Sequence, residues 1–312
     1  MIYEKKDGTQ LLCDYFDDWA REYKEGTVRP VTFKKYKSAS ENLRRIAPDL
    51  QLKDVDRKAY QYIINEYGKT HEIVTVKGFH YVVKAAILDA VDEGFVEKNP
   101  TRKIVLKGKL VKRKPRKYLN FEEAEKLIAV LNIDEKKINY DWMFLLGLKT
   151  GMRQEELLGL TVEDFDFSKL TITIDKAFDY KLTNDFCPTK NKSSMRTIKM
   201  DWKTAMQFSE LLEGEDPKKR IFDFGGRFYN ATANDKLKRR CKEAGIQEIT
   251  MHGLRHTHAS ILMYKDVSIH SISRRLGHSS TEVTQKVYLH VIKEMEIKDE
   301  KKVMAALMEL DY

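Results

Sequence analysis

Between Lys98 and Lys117 the chain carries ten lysines or arginines and no aspartate or glutamate. These are Lys98, Arg102, Lys103, Lys107, Lys109, Lys112, Arg113, Lys114, Arg116 and Lys117. Pro100 and Pro115 discourage a helix at either end of the run. A stretch with so many uncompensated cations has no place in an apolar interior, where unpaired charge is costly. It therefore divides the chain into two halves, each of which must build its own core. The bland reading of a charge run is a solvated linker. One without acids is also suited to lie along phosphates, and phosphate contact is the expectation here. The net charge of +9 and a pI of about 9.1 point to an anionic partner as well.

A length of 312 residues suits two domains of ordinary size. Residues 1–10 form a short polar leader with no apolar signal segment. From 11 to 97 the pattern is helical. Leu11, Leu12, Tyr15, Phe16, Trp19 and Tyr23 recur at helical spacing, which predicts a first helix. A second starts after Thr32 and runs to Ile46, before Pro48, and a third spans Asp56 to Tyr67. The fourth runs from Thr75 to Glu93, with Phe79, Val82, Val83, Ala86, Ile87 and Ala90 inward and Gly94 as its stop. The expectation is a four-helix N-terminal domain over 11–97 and a basic linker over 98–117.

The second domain, 118–312, opens with Asn120 as an N-cap and Glu123 three residues on, ahead of Ala124, Leu127, Ile128 and Leu131. Another helix runs from Tyr140 to Leu148. Short strands are expected over 170–174 and 196–200, with a loop or hairpin over 187–194 between them. The remainder reads as helical, including a tail helix from about 292 with Val303, Ala306, Leu307 and Leu310. The fold class is therefore mainly α with a small β-sheet, α+β. No stretch approaches the ~18 apolar residues of a membrane span. Cys13, Cys187 and Cys241 are few and scattered, which fits a reducing cytoplasm better than a disulfide framework.

Four segments of this domain carry residues suited to chemistry. In Thr150-Gly151-Met152-Arg153, Gly151 breaks one helix and Arg153 sits at the start of the next; alone, this reads as a surface arginine. Lys190 lies in a polar loop, where a lysine is ordinarily just solvated. In His252-Gly253-Leu254-Arg255, a helix would put His252 and Arg255 on one face, able to address one anion. A metal site at His252, His256 and His258 lacks the acid or cysteine partners it would need. Leu276-Gly277-His278 is followed by Tyr288, which would ordinarily be a half-buried core tyrosine.

Taken together and in this order, these residues resemble the tyrosine recombinase (phage integrase) family, over essentially the whole chain from Leu11. The resemblance implies a DNA strand-exchange enzyme with a four-helix core-binding domain and a mixed α/β catalytic domain. Arg153 matches the first catalytic arginine, Glu156 an acidic position that braces it, and Lys190 the lysine of a β-hairpin. His252 and Arg255 match the His-x-x-Arg motif, His278 the histidine after Leu-Gly, and Tyr288 the nucleophile. Many integrases of mobile elements carry a further N-terminal arm-binding domain of about sixty residues. Only about ten residues precede the first helix here, so the chain reads as a two-domain recombinase or a shortened one.

The chemistry so implied is phosphoryl transfer with no metal and no other cofactor. A tyrosine hydroxyl has a pKa near 10, so roughly a thousandth is phenolate at pH 7 and Tyr288 needs a base or a strongly positive pocket. Arg153, Arg255 and His278 would meet the charge on the non-bridging oxygens, and His252 would manage a proton. Lys190 would protonate the leaving 5′ oxygen. The product is a 3′-phosphotyrosine that keeps the bond energy, so rejoining needs no ATP. Implied partners are double-stranded DNA and three further copies of the chain, docked through the tail in a homotetramer. An accessory excision factor is also compatible, a membrane is not, and the setting is a bacterial cytoplasm. Integration or excision of a mobile element is the preferred role. The rivals are a type IB topoisomerase and a DNA-binding regulator with no nuclease step, for which the catalytic set would be idle.

Overall fold

A computed structural model of the chain describes residues 8–110, 116–133, 137–285 and 307–308. The chain divides into two compact units, Met1–Lys114 and Pro115–Tyr312.

The first unit is built from α1 (Leu12–Lys24), α2 (Pro30–Ile46), α3 (Arg57–Gly68) and α4 (Ile73–Asp92). The helical stripes of the sequence become its core: Phe16, Leu43, Tyr60, Ile63, Val83 and Ile87 are fully buried. Trp19 of α1 keeps its indole N–H satisfied by donating to Asp89 of α4 at 2.6 Å. Two starts fall earlier than the sequence predicts. α2 begins on Pro30, whose fixed φ and missing N–H suit the first helical position. α4 begins at Ile73, ahead of Thr75.

The segment expected as a linker is attached to this unit for much of its length. Ile104 and Leu106 pack on the helical core, while Val105, Lys107 and Lys109 face out, a period of two that the surrounding charges hide. The Gln61 side chain brackets Val105, donating to its carbonyl at 2.8 Å and accepting from its N–H at 2.9 Å. Arg57 donates to the Lys103 carbonyl at 3.1 Å, and the Lys109 N–H to the His71 carbonyl at 2.8 Å. Lys98, Arg102, Lys103, Lys107, Lys109 and Lys117 are exposed and Arg116 partly so. Lys112, Arg113 and Lys114 lie outside the described residues.

The second unit is organised around α6 (Tyr140–Thr150), which is buried on nearly every side. Even its Asp141 is buried, paired with Arg240 of α9 (Asn230–Glu243) at 2.6 Å. Ahead of α6 lies α5 (Phe121–Ala129), opened by the Asn120–Glu123 capping box. After it come α7 (Gln154–Leu158), α8 (Trp202–Leu211), α10 (Met251–Tyr264) and α11 (Ile269–Leu276). Strands β1 (Phe165–Asp166), β2 (Thr171–Ile174) and β5 (Arg196–Lys199) form an antiparallel sheet, with Ile172 opposite Ile198. A separate hairpin pairs β3 (Lys176–Asp179) with β4 (Asp185–Pro188).

The mainly α architecture with small antiparallel sheets is the expected one. The loop or hairpin predicted over 187–194 resolves into parts, with Cys187 and Pro188 ending β4 and the rest forming a loop that closes in a 3-10 turn, Lys192–Ser194. β4 buries neither face, so it leaves no alternation to read. The tail helix expected from about 292 lies almost wholly outside the described residues.

Candidate active site

Two chain reversals create the site. Thr150 ends α6, and Gly151 follows with φ of 69°, the left-handed conformation that glycine adopts without strain. Arg153 is the N-cap residue of α7. At the far end, α11 stops at Gly277, with φ of 68°, and delivers His278. Between them α10 carries His252 and Arg255, its N-terminus capped by the Thr250 side chain, which accepts from the Gly253 N–H at 3.3 Å.

Three arginines converge on three successive carbonyls at the end of α11. Arg196 Nε donates to Arg275 O at 2.6 Å, Arg255 Nη2 to Leu276 O at 2.8 Å, and Arg153 Nη2 to Gly277 O at 2.9 Å. Arg255 also donates from Nη1 to Gly151 O at 2.8 Å, which ties the two reversals together. Only 3 % of Arg255 is exposed. Arg153 reaches the Ser194 hydroxyl at 3.3 Å, at the end of the loop that holds Lys190.

Beneath the arginines sits Glu156. It accepts from Arg153 Nη1 at 2.7 Å and from Arg196 Nη2 at 2.9 Å. Burial pushes its carboxyl pKa up, but the bonds and charge of Arg196 and Arg153 outweigh this and hold it below the ordinary value. Arg153 and Arg196 thus share one carboxylate while Arg255 is held on backbone carbonyls beside them, and a basin so biased favours an anion.

Both histidines record this field. His278 is pushed down to about 4, by burial first and then by Arg255, Arg153, Arg196 and His252. Its Nδ1 lies 2.7 Å from the hydroxyl of buried Thr284. The His252 ring is open to solvent yet recessed enough that burial, followed by Arg255, Arg153 and Lys117, lowers its pKa too. At neutral pH both rings are uncharged, each able to donate at one nitrogen and accept at the other.

Of the residues singled out in the sequence, Arg153, Glu156, Arg255 and His278 are brought together by hydrogen bonds and shared field, with His252 beside them. Lys190 sits exposed on the loop between β4 and β5, and the cations that dominate the shift of either histidine are the arginines and Lys117. Tyr288 lies outside the described residues. Among the described residues no group of histidines, cysteines and acids is placed to hold a metal ion. His252 and His256 stand edge to face at 4.7 Å, while His258 is buried.

Sequence reasoning missed Arg196, Ser194, Thr284 and the pair His258–Arg275. A signal existed for Arg196. It shares strand register with buried Ile198 and Met200, and an arginine on the inward face of a strand needs a buried acid.

A helical unit joined to an α+β unit with an arginine-rich, acid-poor basin defines an enzyme built to handle a phosphodiester. The family model described as the phage integrase family matches residues 117–295, and the chain belongs to that family. It is a site-specific DNA recombinase of the tyrosine type. It is 27% identical over 321 residues to a XerC-like tyrosine recombinase of Caldanaerobacter subterraneus subsp. tengcongensis, covering 90% of this chain and 79% of that one. It is 26% identical over 319 residues to the integrase of Staphylococcus phage L54a, covering 92% and 90%. Among solved structures, the Tn1549 transposon integrase in complex with transposon right end DNA shares the fold with a TM-score of 0.74 at 18% identity, covering 89% of this chain and 95% of that one. A lambda integrase tetramer bound to a Holliday junction gives 0.63 at 21%, covering 88% and 80%.

Proposed function

We propose that the chain cuts and rejoins double-stranded DNA at a specific site through a 3′-phosphotyrosyl bond to Tyr288, in the integration or excision of a mobile element. The observation that carries the reading is the placement of Arg153 and Arg255 on adjacent carbonyls of one helix end, with His252 and His278 inside their field. A scissile phosphate drawn to this basin would present its non-bridging oxygens to guanidinium donors already fixed in place, which lowers reorganisation in the transition state. Neutral His252 would take the proton as the Tyr288 hydroxyl attacks, and His278 would donate to a non-bridging oxygen. Lys190 would swing from its exposed loop to protonate the 5′ oxygen once DNA is bound. Glu156 holds Arg153 in register and stays out of the chemistry.

The same reading assigns phosphate contacts to the exposed cations Lys98, Arg102, Lys103, Lys107, Lys109 and Lys117, to partly exposed Arg116, and to Lys112, Arg113 and Lys114. As lambda integrase is a tetramer on a Holliday junction, the working form proposed here is a tetramer on DNA, with the tail as the docking element and an accessory factor as an optional partner. Trapping on a nicked duplex tests the reading. Wild-type protein should become covalently attached to the 3′ end, and attachment through any residue but Tyr288 would overturn it.

A further inference from the structure

Behind the basin lies a second pair that the reaction scheme does not use. Arg275 is partly buried, and the donors that anchor it go to neutral acceptors on three different elements. Its Nε donates to His258 Nε2 at 2.9 Å, Nη1 to Lys199 O at 3.0 Å, and Nη2 to Lys149 O at 3.2 Å. It thereby pins α11 to α10, to the end of β5 and to the end of α6.

The histidine is fixed just as firmly. His258 Nδ1 lies 2.9 Å from Leu148 O, and a carbonyl can only accept, so the ring proton is on Nδ1. Nε2 then keeps its lone pair for the Arg275 N–H. Burial, with Arg275 next, pushes the ring down to about 3, so it stays a neutral acceptor throughout the neutral range. The ring also sets the chain reversal ahead of Arg153. A Cβ on Gly151 would stand 2.6 Å from His258 Cδ2 and 2.9 Å from Leu276 Cδ2. Gly151 O is an acceptor of Arg255, and so is Leu276 O.

We infer that Arg275 and His258 are positioning residues for the cleavage step, which set the α11 ridge and the Gly151 reversal and so place the guanidiniums of Arg153 and Arg255 on the phosphate. The inference rests on the proposed function. In this role the pair would touch neither DNA nor the reacting atoms. It acts through the two backbone segments to which the arginines bind, much as outer partners orient the ligands of a metal. Lysine at position 275 would keep the charge but lose the three-way fork. Asparagine at position 258 offers a donor toward Leu148 O and no acceptor for Arg275. Glutamine offers a carbonyl oxygen near the place of Nε2.

The test uses a nicked synthetic duplex carrying the joined ends of the element that encodes the chain, in two forms: an ordinary scissile phosphate, and a methylphosphonate that lacks the non-bridging charge. Single-turnover adduct formation, DNA affinity and thermal stability are measured on the full chain. Arg275→Lys and His258→Asn should slow the adduct about a hundredfold on the ordinary duplex, the scale of a 1 Å misplacement, with DNA affinity unchanged. His258→Gln should recover most of the rate. On the methylphosphonate the deficit relative to wild type should shrink, because the arginines have less charge to meet. Absence of any wild-type adduct would instead overturn the proposed function. Given a wild-type adduct, full-rate cleavage by Arg275→Lys, or equal proportional losses on both duplexes, would overturn the inference alone.

Discussion

Glu156 accepts two hydrogen bonds from Arg153, one from its backbone N–H at 2.9 Å and one from Nη1 at 2.7 Å. The first caps a helix and the second aims a guanidinium, so one carboxylate fixes both the place and the direction of the arginine. Because Arg196 shares that carboxylate, neutralising it leaves two guanidiniums facing each other with no charge between them. Glu156→Gln should cost roughly 3–5 kcal/mol of stability, the range for breaking a buried pair from one side. Chemical denaturation measures this. A loss below about 1 kcal/mol, the range of an exposed pair, would contradict the bracing role.

The reaction should run without a divalent ion. On the proposed mechanism Arg153, Arg255, His278 and Lys190 would supply the positive charge and donors that a metal provides in other phosphoryl transfers. Adduct formation should be unchanged in EDTA. Loss of cleavage on chelation, restored by added Mg²⁺, would point to another mechanism.

Stability should fall on the acid side of neutrality. In the folded protein His258, at about 3, and His278, at about 4, lie below the ordinary histidine value of 6.5, and His252 is also lowered. The folded protein therefore binds fewer protons than the unfolded chain between these values and 6.5, so this stability is full above pH 6.5 and is lost as pH falls. Melting temperature should drop from pH 6.5 toward 4. His258→Gln, with nothing to titrate there, should show a flatter profile, and an unchanged slope would rule out His258 as the source.

How far the site could be read from the sequence followed the range of the interactions. Arg153 was visible because Gly151 and the helix start are local, and His252 with Arg255 because three residues make one helical turn. The turn put both on α10 but did not reveal their depth: Arg255 is buried while His252 is open. The partners that hold the site are another matter. Arg196 meets Glu156 across 40 residues, and Arg275 meets Lys149 across 126. No periodicity encodes such contacts. The helices of the first unit were legible because each buries a continuous stripe, whereas β4 buries nothing and Ile104–Leu106 alternates inside a run of charge.

Lys190 can be separated from the arginines by its target atom. If it protonates the leaving 5′ oxygen, a 5′-bridging phosphorothioate removes the need, since a thiolate leaves readily without a proton. Lys190→Ala should lose about a hundredfold on ordinary DNA and recover on the sulfur substrate. Arg255→Ala should show no such recovery. Rescue of Lys192→Ala but not Lys190→Ala would move the role to the neighbouring lysine.

The central claim is that Tyr288 forms the bond to DNA, and covalent trapping tests it most directly. Wild-type protein incubated with a duplex nicked near the cut site should give a protein–DNA band that survives denaturation, with the attached peptide containing Tyr288. Tyr288→Phe should bind the same duplex with unchanged affinity and give no such band. A covalent band from Tyr288→Phe would contradict the account.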